Sequence, residues 1–169
     1  AILAMLHVVK KYMISIVCIM LTVPLCAQST FKFVEGKKQV KIPFELISNL
    51  IVIPVKVNGV ELAFLLDTGV KETILFNVSK VDSLMLNNTK TVTVKGVNNV
   101  AVKALKSEGN LLEVNGLRSF NHDIYVTFNQ ETNLSSYLGE EIHGILGYHF
   151  FKDFIVEFSY NNELIRVYR

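Results

Sequence analysis

The hydrophobic and polar positions after residue 30 carry the signals of strands. KQVKIPFEL (Lys38 to Leu46) alternates apolar with polar, and IVIPVKV (Ile51 to Val57) is β-branched throughout its core. Asn58-Gly59 follows it directly and precedes VELAFLLD, which is the strongest short-range hairpin cue in the chain because both residues tolerate the positive φ of a two-residue turn. Further β-rich runs lie at TVTVKGV (Thr91 to Val97), NLLEVNGL (Asn110 to Leu117) and DIYVTF (Asp123 to Phe128). FIVEFSY (Phe154 to Tyr160) and ELIRVY (Glu163 to Tyr168) flank Asn161-Asn162 as a last pair. Helix signals are confined to Leu134 to Leu138 and a turn or two at YHFFKDF (Tyr148 to Phe154). The chain shows no internal repeat, low-complexity tract or linker in this part. The pattern predicts one all-β domain with one or two short helices, a small closed or sandwich-like barrel.

Upstream, the pattern is of another kind. From Met5, MLHVVKKYMISIVCIMLTVPLCAQS has basic residues at Lys10 and Lys11, then an apolar stretch, then small residues before Gln28. This is the layout of a secretory signal peptide, with cleavage expected after Ala27, so residues 1–27 are read as leader and 28–169 as the folded domain. The first residue is alanine, and Met5 or Met13 is the expected start. The apolar stretch falls short of the roughly 20 residues that a spanning helix needs, so no stable membrane span is expected. Pro24 and Leu25 argue against a lipid anchor at Cys26. The expected destination is the periplasm or the exterior.

Removing the leader changes the chemistry that remains. Both cysteines, Cys18 and Cys26, leave with it, so the domain has neither disulfides nor thiol chemistry despite an oxidising destination. Loss of Lys10 and Lys11 takes the basic count from 17 to 15, equal to the 15 acidic residues. With no basic excess and no cationic run beyond Lys37-Lys38, a nucleic acid partner is excluded. The chain has no G-x-S-x-G, no phosphate-cradling glycine loop, no G-x-G-x-x-G and no H-E-x-x-H. Three histidines remain, His122, His143 and His149, without the close spacing of a zinc site; they are expected at loop and helix ends, partly exposed. No metal and no cofactor are expected.

One acid stands out of this pattern. FLLDTGVKETILF (Phe64 to Phe76) delivers Asp67 from an apolar run straight into a Thr-Gly turn. A lone buried carboxylate costs several kcal/mol unless it is hydrogen-bonded or neutralised. Thr68 offers a hydroxyl that can brace the turn, and Gly69 lets the backbone approach and donate its N–H. The tripeptide equally suits an ordinary Asx-type turn between strands.

A second signal lies in HGILGYHFFKDFIVEFSYNNELIRVYR (His143 to Arg169). With it the chain resembles the retropepsin-like aspartic proteases. That family places a hydrophobic-hydrophobic-Asp-Thr-Gly-Ala strand early, then a flap hairpin, then a hydrophobic-hydrophobic-Gly strand and a short helix packing beneath the acid loop. FLLDTGV matches the first element, with Val70 where alanine is usual, and Ile145, Leu146 and Gly147 match the second. More narrowly, the layout resembles the first lobe of exported aspartyl proteases of Bacteroidetes-type bacteria, in which a second acid-bearing lobe and a PDZ domain commonly follow. The resemblance covers Ile51 to Tyr168.

The resemblance implies a retropepsin-like acid-protease barrel of a single lobe that cleaves peptide bonds. Asp67 would be the catalytic acid, Thr68 and Gly69 its loop support, and Ile145, Leu146 and Gly147 the strand packed beneath it. Such chemistry needs two carboxylates sharing a proton. Asp82, Asp123 and Asp153 do not stand in a second Asp-Thr-Gly, so the partner acid is expected from a homodimer mate or a second lobe, the chain being read as cut between lobes. VKGVNNVAV (Val94 to Val102) is the candidate flap, with Gly96, Val97, Asn98 and Asn99 at its tip, and GNLLEVNG (Gly109 to Gly116) competes with it. The alternative is a non-catalytic periplasmic β domain of the same fold whose cleft binds peptides or a partner protein. The leader itself makes a prediction: mass spectrometry of exported material should find the chain starting at Gln28, and mature protein that retains Met13 to Cys26 would contradict it.

Overall fold

The computed structural model describes residues 30–76, 83–95, 101–128 and 134–169, and the leader lies outside them. Twelve strands are described: β1 (Lys32–Phe33), β2 (Gln39–Pro43), β3 (Glu45–Ile47), β4 (Leu50–Val57), β5 (Val60–Leu66), β6 (Thr73–Leu75), β7 (Thr89–Lys95), β8 (Ala101–Val114), β9 (Leu117–Val126), β10 (Gly144–Leu146), β11 (Ile155–Ser159) and β12 (Leu164–Tyr168). Two single-turn helices accompany them, α1 (Ser135–Leu138) and α2 (Tyr148–Phe151).

Six of these strands form a ring in the order β9-β6-β10-β5-β4-β8, and pairing of β8 with β9 closes it. This is the closed barrel expected from the alternating pattern. Closure depends on the length of β8. Its outer half pairs with β7 from Thr89↔Ser107 to Lys95↔Ala101, while its inner half meets β4 at Leu112 and Glu113 and β9 from Leu105 to Val114. A second sheet, β11-β12-β2, covers the barrel, with Val40, Ile42, Ile165 and Val167 turned inward.

Local chemistry accounts for the joints. Asn58, at φ 48°, and Gly59, at φ 89°, make the tight turn that pairs Val57 with Val60. Asn115 and Gly116 do the same between β8 and β9, where Val114 pairs with Leu117. Pro54 lies mid-strand without breaking it. Opposite it, Ala63 turns its N–H and C=O toward His143, and the outer edge of β4 is bonded to β3 only up to Val52 and to β8 only from Lys56. The donor that proline lacks therefore falls in a gap between ladders.

The main core fills the barrel with Ile53, Val55, Val57, Phe64, Leu75, Leu112, Val114, Leu117 and Ile124, all completely shielded. A smaller cluster of Val52, Leu65, Phe76 and Ile142 packs on the other side of β5. Because successive residues of a strand face opposite ways, Phe64 belongs to the first cluster and Leu65 to the second. Both faces of β5 are thus buried just before it reaches Asp67.

Several expectations needed correction. GNLLEVNG is no free arm: Leu112, Val114 and Leu117 are core residues, so this hairpin belongs to the barrel wall. Strands β1 and β6 and the first part of β8 carried too short or too mixed a pattern to be read. His122 does not sit at a loop end; it lies within β9 and is 1% exposed. The Asn161-Asn162 turn is a 3-10 turn, Tyr160–Asn162, closed by Glu163 in the left-handed region. Among the described residues no helix is long and apolar enough to cross a membrane.

Candidate active site

The Asp67 loop is made by three short strands. β5 brings the chain in, β6 takes it out, and β10 inserts between them. β10 runs parallel to β5, pairing Gly144 with Phe64, Ile145 with Leu65 and Leu146 with Leu66. On its other edge it is antiparallel to β6, pairing Gly144 with Leu75 and Ile145 with Ile74. The ladder continues one step into the loop, where the Asp67 N–H donates to the Leu146 carbonyl at 3.2 Å. Ile145, Leu146 and Gly147 therefore lie directly against the acid loop.

Two glycines permit this insertion. A Cβ on Gly144 would stand 2.4 Å from the Ile74 carbonyl oxygen and 2.6 Å from the Phe64 ring. A Cβ on Gly147 would stand 2.4 Å from the Val70 carbonyl oxygen and 2.6 Å from that of Glu72. Neither position needs an unusual φ; each needs the absence of a side chain. With Gly147 bare, the loop lies over it, and the Tyr148 N–H donates to the Val70 carbonyl at 2.7 Å. The helix α2 then seats Phe150 in the core, edge-on to Phe31 at 5.1 Å between ring centres.

Within the loop, the Gly69 N–H donates to Asp67 Oδ1 at 2.8 Å and the Val70 N–H donates to the Asp67 carbonyl at 3.3 Å. A Cβ on Gly69 would be 3.1 Å from Asp67 Oδ1, so glycine keeps that approach unstrained. Asp67 is half-buried and Thr68 is exposed. The Thr68 hydroxyl bonds none of the described residues, so it does not brace its own turn. One backbone donor, the Gly69 N–H, holds the half-buried carboxylate, and the Val70 N–H closes the turn behind it.

Three further residues at the site escaped sequence reading. Thr73, the first residue of β6, is 1% exposed, and its Oγ1 lies 2.8 Å from His122 Nε2. The other ring nitrogen of His122 lies 2.8 Å from Ser119 Oγ. Burial pushes the His122 pKa from 6.5 down to about 4, with the His149 charge adding to the shift, so the ring is neutral over most of the pH range. Glu72 pairs with His149, its Oε2 3.5 Å from Nδ1. The Thr73–His122 and Glu72–His149 contacts join positions far apart in sequence, and no local pattern signals them. Gly144 was legible as the glycine before Ile145, but its reason is the ladder on both sides.

His143 extends β10 backward: its N–H donates to the Ala63 carbonyl and its carbonyl accepts from Phe76 N–H. Its Nδ1 accepts from Ala63 N–H at 3.3 Å, and burial lowers its pKa. Around the expected flap, β7 and β8 pair antiparallel, whereas Gly96, Val97, Asn98 and Asn99 lie outside the described residues. A groove of about 670 Å³ runs along the gap beside Pro54, between Glu45, Glu61 and Glu163; Asp67 does not line it.

A closed barrel that holds an Asp-Thr-Gly turn against a short Gly-bounded strand defines an acid-protease type of site. The comparison with family models agrees: the model described as aspartyl protease matches residues 53–150, which include the Asp67 loop, β7, β8 and β10. The chain belongs to the aspartyl protease family, and the family resemblance carried by FLLDTGV and ILG is borne out. Among solved structures, a retropepsin-like aspartic protease from Rickettsia conorii is similar at 18% identity and a TM-score of 0.48, covering 83% of this chain and 94% of that one. The search of the curated proteins found no match.

Gly147 gives this geometry a direct test. Gly147→Ala should destabilise the fold by about 1–3 kcal/mol, the usual range for overpacking a tight contact. The measurement is denaturant unfolding combined with amide chemical shifts, and the shifts of Asp67 and Val70 should change more than those of Val167. A fully stable variant with an unmoved loop would show that the close approach is not needed.

Proposed function

We propose that the chain is one half of an exported aspartic endopeptidase, with Asp67 as one member of a paired-Asp dyad. The observation that carries this reading is the half-buried Asp67 carboxylate, held by the Gly69 N–H and the β10 ladder. The other described aspartates are placed elsewhere: Asp123 pairs with Lys106 at 2.6 Å and Asp153 lies 4.0 Å from Lys152. Asp82 lies outside the described residues, and in the sequence no aspartate but Asp67 stands in an Asp-Thr-Gly, which supports a second carboxylate from a homodimer mate or from a second lobe, as in the layout of the Bacteroidetes-type enzymes.

In the assembled site the two carboxylates share one proton, since two like charges so close cannot both ionise. The ionised one takes a proton from water as the water attacks the peptide carbonyl. The protonated one donates to the carbonyl oxygen. Gly69 N–H steadies the Asp67 carboxylate, and the exposed Thr68 hydroxyl is available to a facing loop. The paired strands β7 and β8 are the arms of the flap that closes over a peptide or protein substrate.

The isolated 28–169 segment should be inactive as a monomer, and cleavage should appear once a second Asp-Thr-Gly loop is supplied. In that form Asp67→Asn should reduce hydrolysis by at least a thousandfold with little loss of stability, because asparagine keeps a carbonyl acceptor for Gly69 N–H. A peptide-library assay across pH checks this, and the wild-type profile should be bell-shaped below neutrality, reporting a coupled pair. Cleavage by a proven monomer, or undiminished cleavage by the variant, contradicts the mechanism. An assembled form that binds peptides without cutting them at any pH supports the binding domain instead.

A further inference from the structure

The arm that leaves the Asp67 loop passes between two histidines. Its residues Glu72 and Thr73 are consecutive, and each meets one of them. Glu72 Oε2 lies 3.5 Å from His149 Nδ1 in α2, and Thr73 Oγ1 lies 2.8 Å from His122 Nε2 in β9. The same arm is pinned from below, because the Val70 carbonyl accepts from Tyr148 N–H and the Glu72 carbonyl lies over the bare Gly147. We propose that His122 and His149 are positioning residues for the Asp67 loop, clamping its outgoing arm from two elements so that the carboxylate keeps its place against β10.

The His122 side of the clamp is rigid because it is anchored beyond the ring. Ser119 Oγ engages Nδ1, and the His122 carbonyl accepts from Asn110 Nδ2 at 3.2 Å. Asn110 in turn donates to Ser107 Oγ and accepts from Asn87 N–H and from Asn58 Nδ2. Phe31 packs on the ring at 5.4 Å between centres, tilted by 59°. Thr73, Ser107, Asn110, Ser119 and His122 are all buried at 1% exposure or less, yet none of the described buried side-chain polar atoms lacks a partner. A network of this kind is costly to half-break, which is what makes it a firm anchor.

The charged groups around His122 come from three elements. Asp123 adjoins it in β9 but is paired with Lys106 of β8; His149 faces it from α2; Glu72, on the arm, is paired with His149. A neutral His122 ring offers one donor and one acceptor, and the Thr73 and Ser119 hydroxyls adapt to either tautomer. A protonated ring has two donors, so both hydroxyls must accept, and its charge lies in a buried site near His149. The sign follows from a folded pKa of about 4 against 6.5 unfolded: the neutral clamp is fully favoured above pH 6.5 and its contribution is lost as pH falls through 4.

The proposal takes Asp67 as the acid of the site, but its test does not need catalysis. Nuclear magnetic resonance on the full chain carrying Asp67→Asn removes the ionisation of that carboxylate, which would otherwise move its neighbours. The ring nitrogens of both histidines are followed from pH 7.5 to 3.5 together with the amides of Gly69, Val70 and Val167. The loop amides should move with the midpoint of each histidine ring. His122→Asn should abolish the component that follows the His122 ring, His149→Gln should abolish the other, and Val167 should stay still in all three chains. Loop amides indifferent to both rings, or variants that disturb Val167 as much as Gly69, overturn the proposal. Should His122→Asn fail to fold, the parent titration and His149→Gln still decide it. Failure of the protease reading would appear separately, as an assembled wild-type protein that cuts no peptide while the loop shifts persist.

Discussion

The backbone hydrogen bond from Asp67 N–H to the Leu146 carbonyl is the last rung of a parallel ladder, and the rest of the site is arranged so that this rung can form. For β10 to slide between β5 and β6, the two strands must part by one strand width while the loop joining them stays short. Gly144 and Gly147 make room at the two ends of β10, one against the Ile74 carbonyl and the Phe64 ring, the other against the Val70 and Glu72 carbonyls. Phe64, Leu75 and Leu146 then fill the space inward with no exposed surface. The carboxylate is left at the rim, oriented by backbone groups whose own positions are set by the ladder.

That arrangement transfers rigidity from the core to a polar side chain at the surface. A side chain on a free loop would hold its geometry only through its own contacts, whereas Asp67 inherits the order of β5, which is buried on both faces. The second source of order is the buried polar network around Asn110 and His122. It joins β6, β8, β9 and the segment near Asn87, and it sits beside the point where β8 closes the barrel onto β9. Register shifts between Ser107 and Asn110 and between Asn110 and Leu112 interrupt that ladder, and the backbone groups released there are met by Asn58, Asn87 and Asn110 side chains. Barrel closure and arm placement thus share one set of hydrogen bonds.

Much of this was legible in the residues. Alternation and β-branching marked β2, β4, β7, β11 and β12, and Asn58-Gly59 fixed the β4–β5 register, because these are effects of neighbours in sequence. The acid loop was legible because an acid in an apolar run is locally anomalous. What could not be read was long-range. The three residues of β6 are too few to show a period, and the first part of β8 mixes lysines with apolar residues because it faces solvent beside β7. His122 looked like a polar residue between Asn121 and Asp123, and only the fold brings Thr73 to its ring. Thr68 shows the reverse case: its hydroxyl suited a brace within the turn, but the turn is already closed by Gly69 and Val70 amides, so the side chain faces outward.

The central claim is that β10 holds the acid loop by extending a parallel ladder into it. Scalar coupling across the hydrogen bond, from the Asp67 amide nitrogen to the Leu146 carbonyl carbon, reads that rung directly in solution. The account predicts a measurable coupling together with slow hydrogen exchange at the Asp67 amide, while the amide of exposed Thr68 exchanges fast. No coupling, with Asp67 exchanging as fast as Thr68, would contradict it.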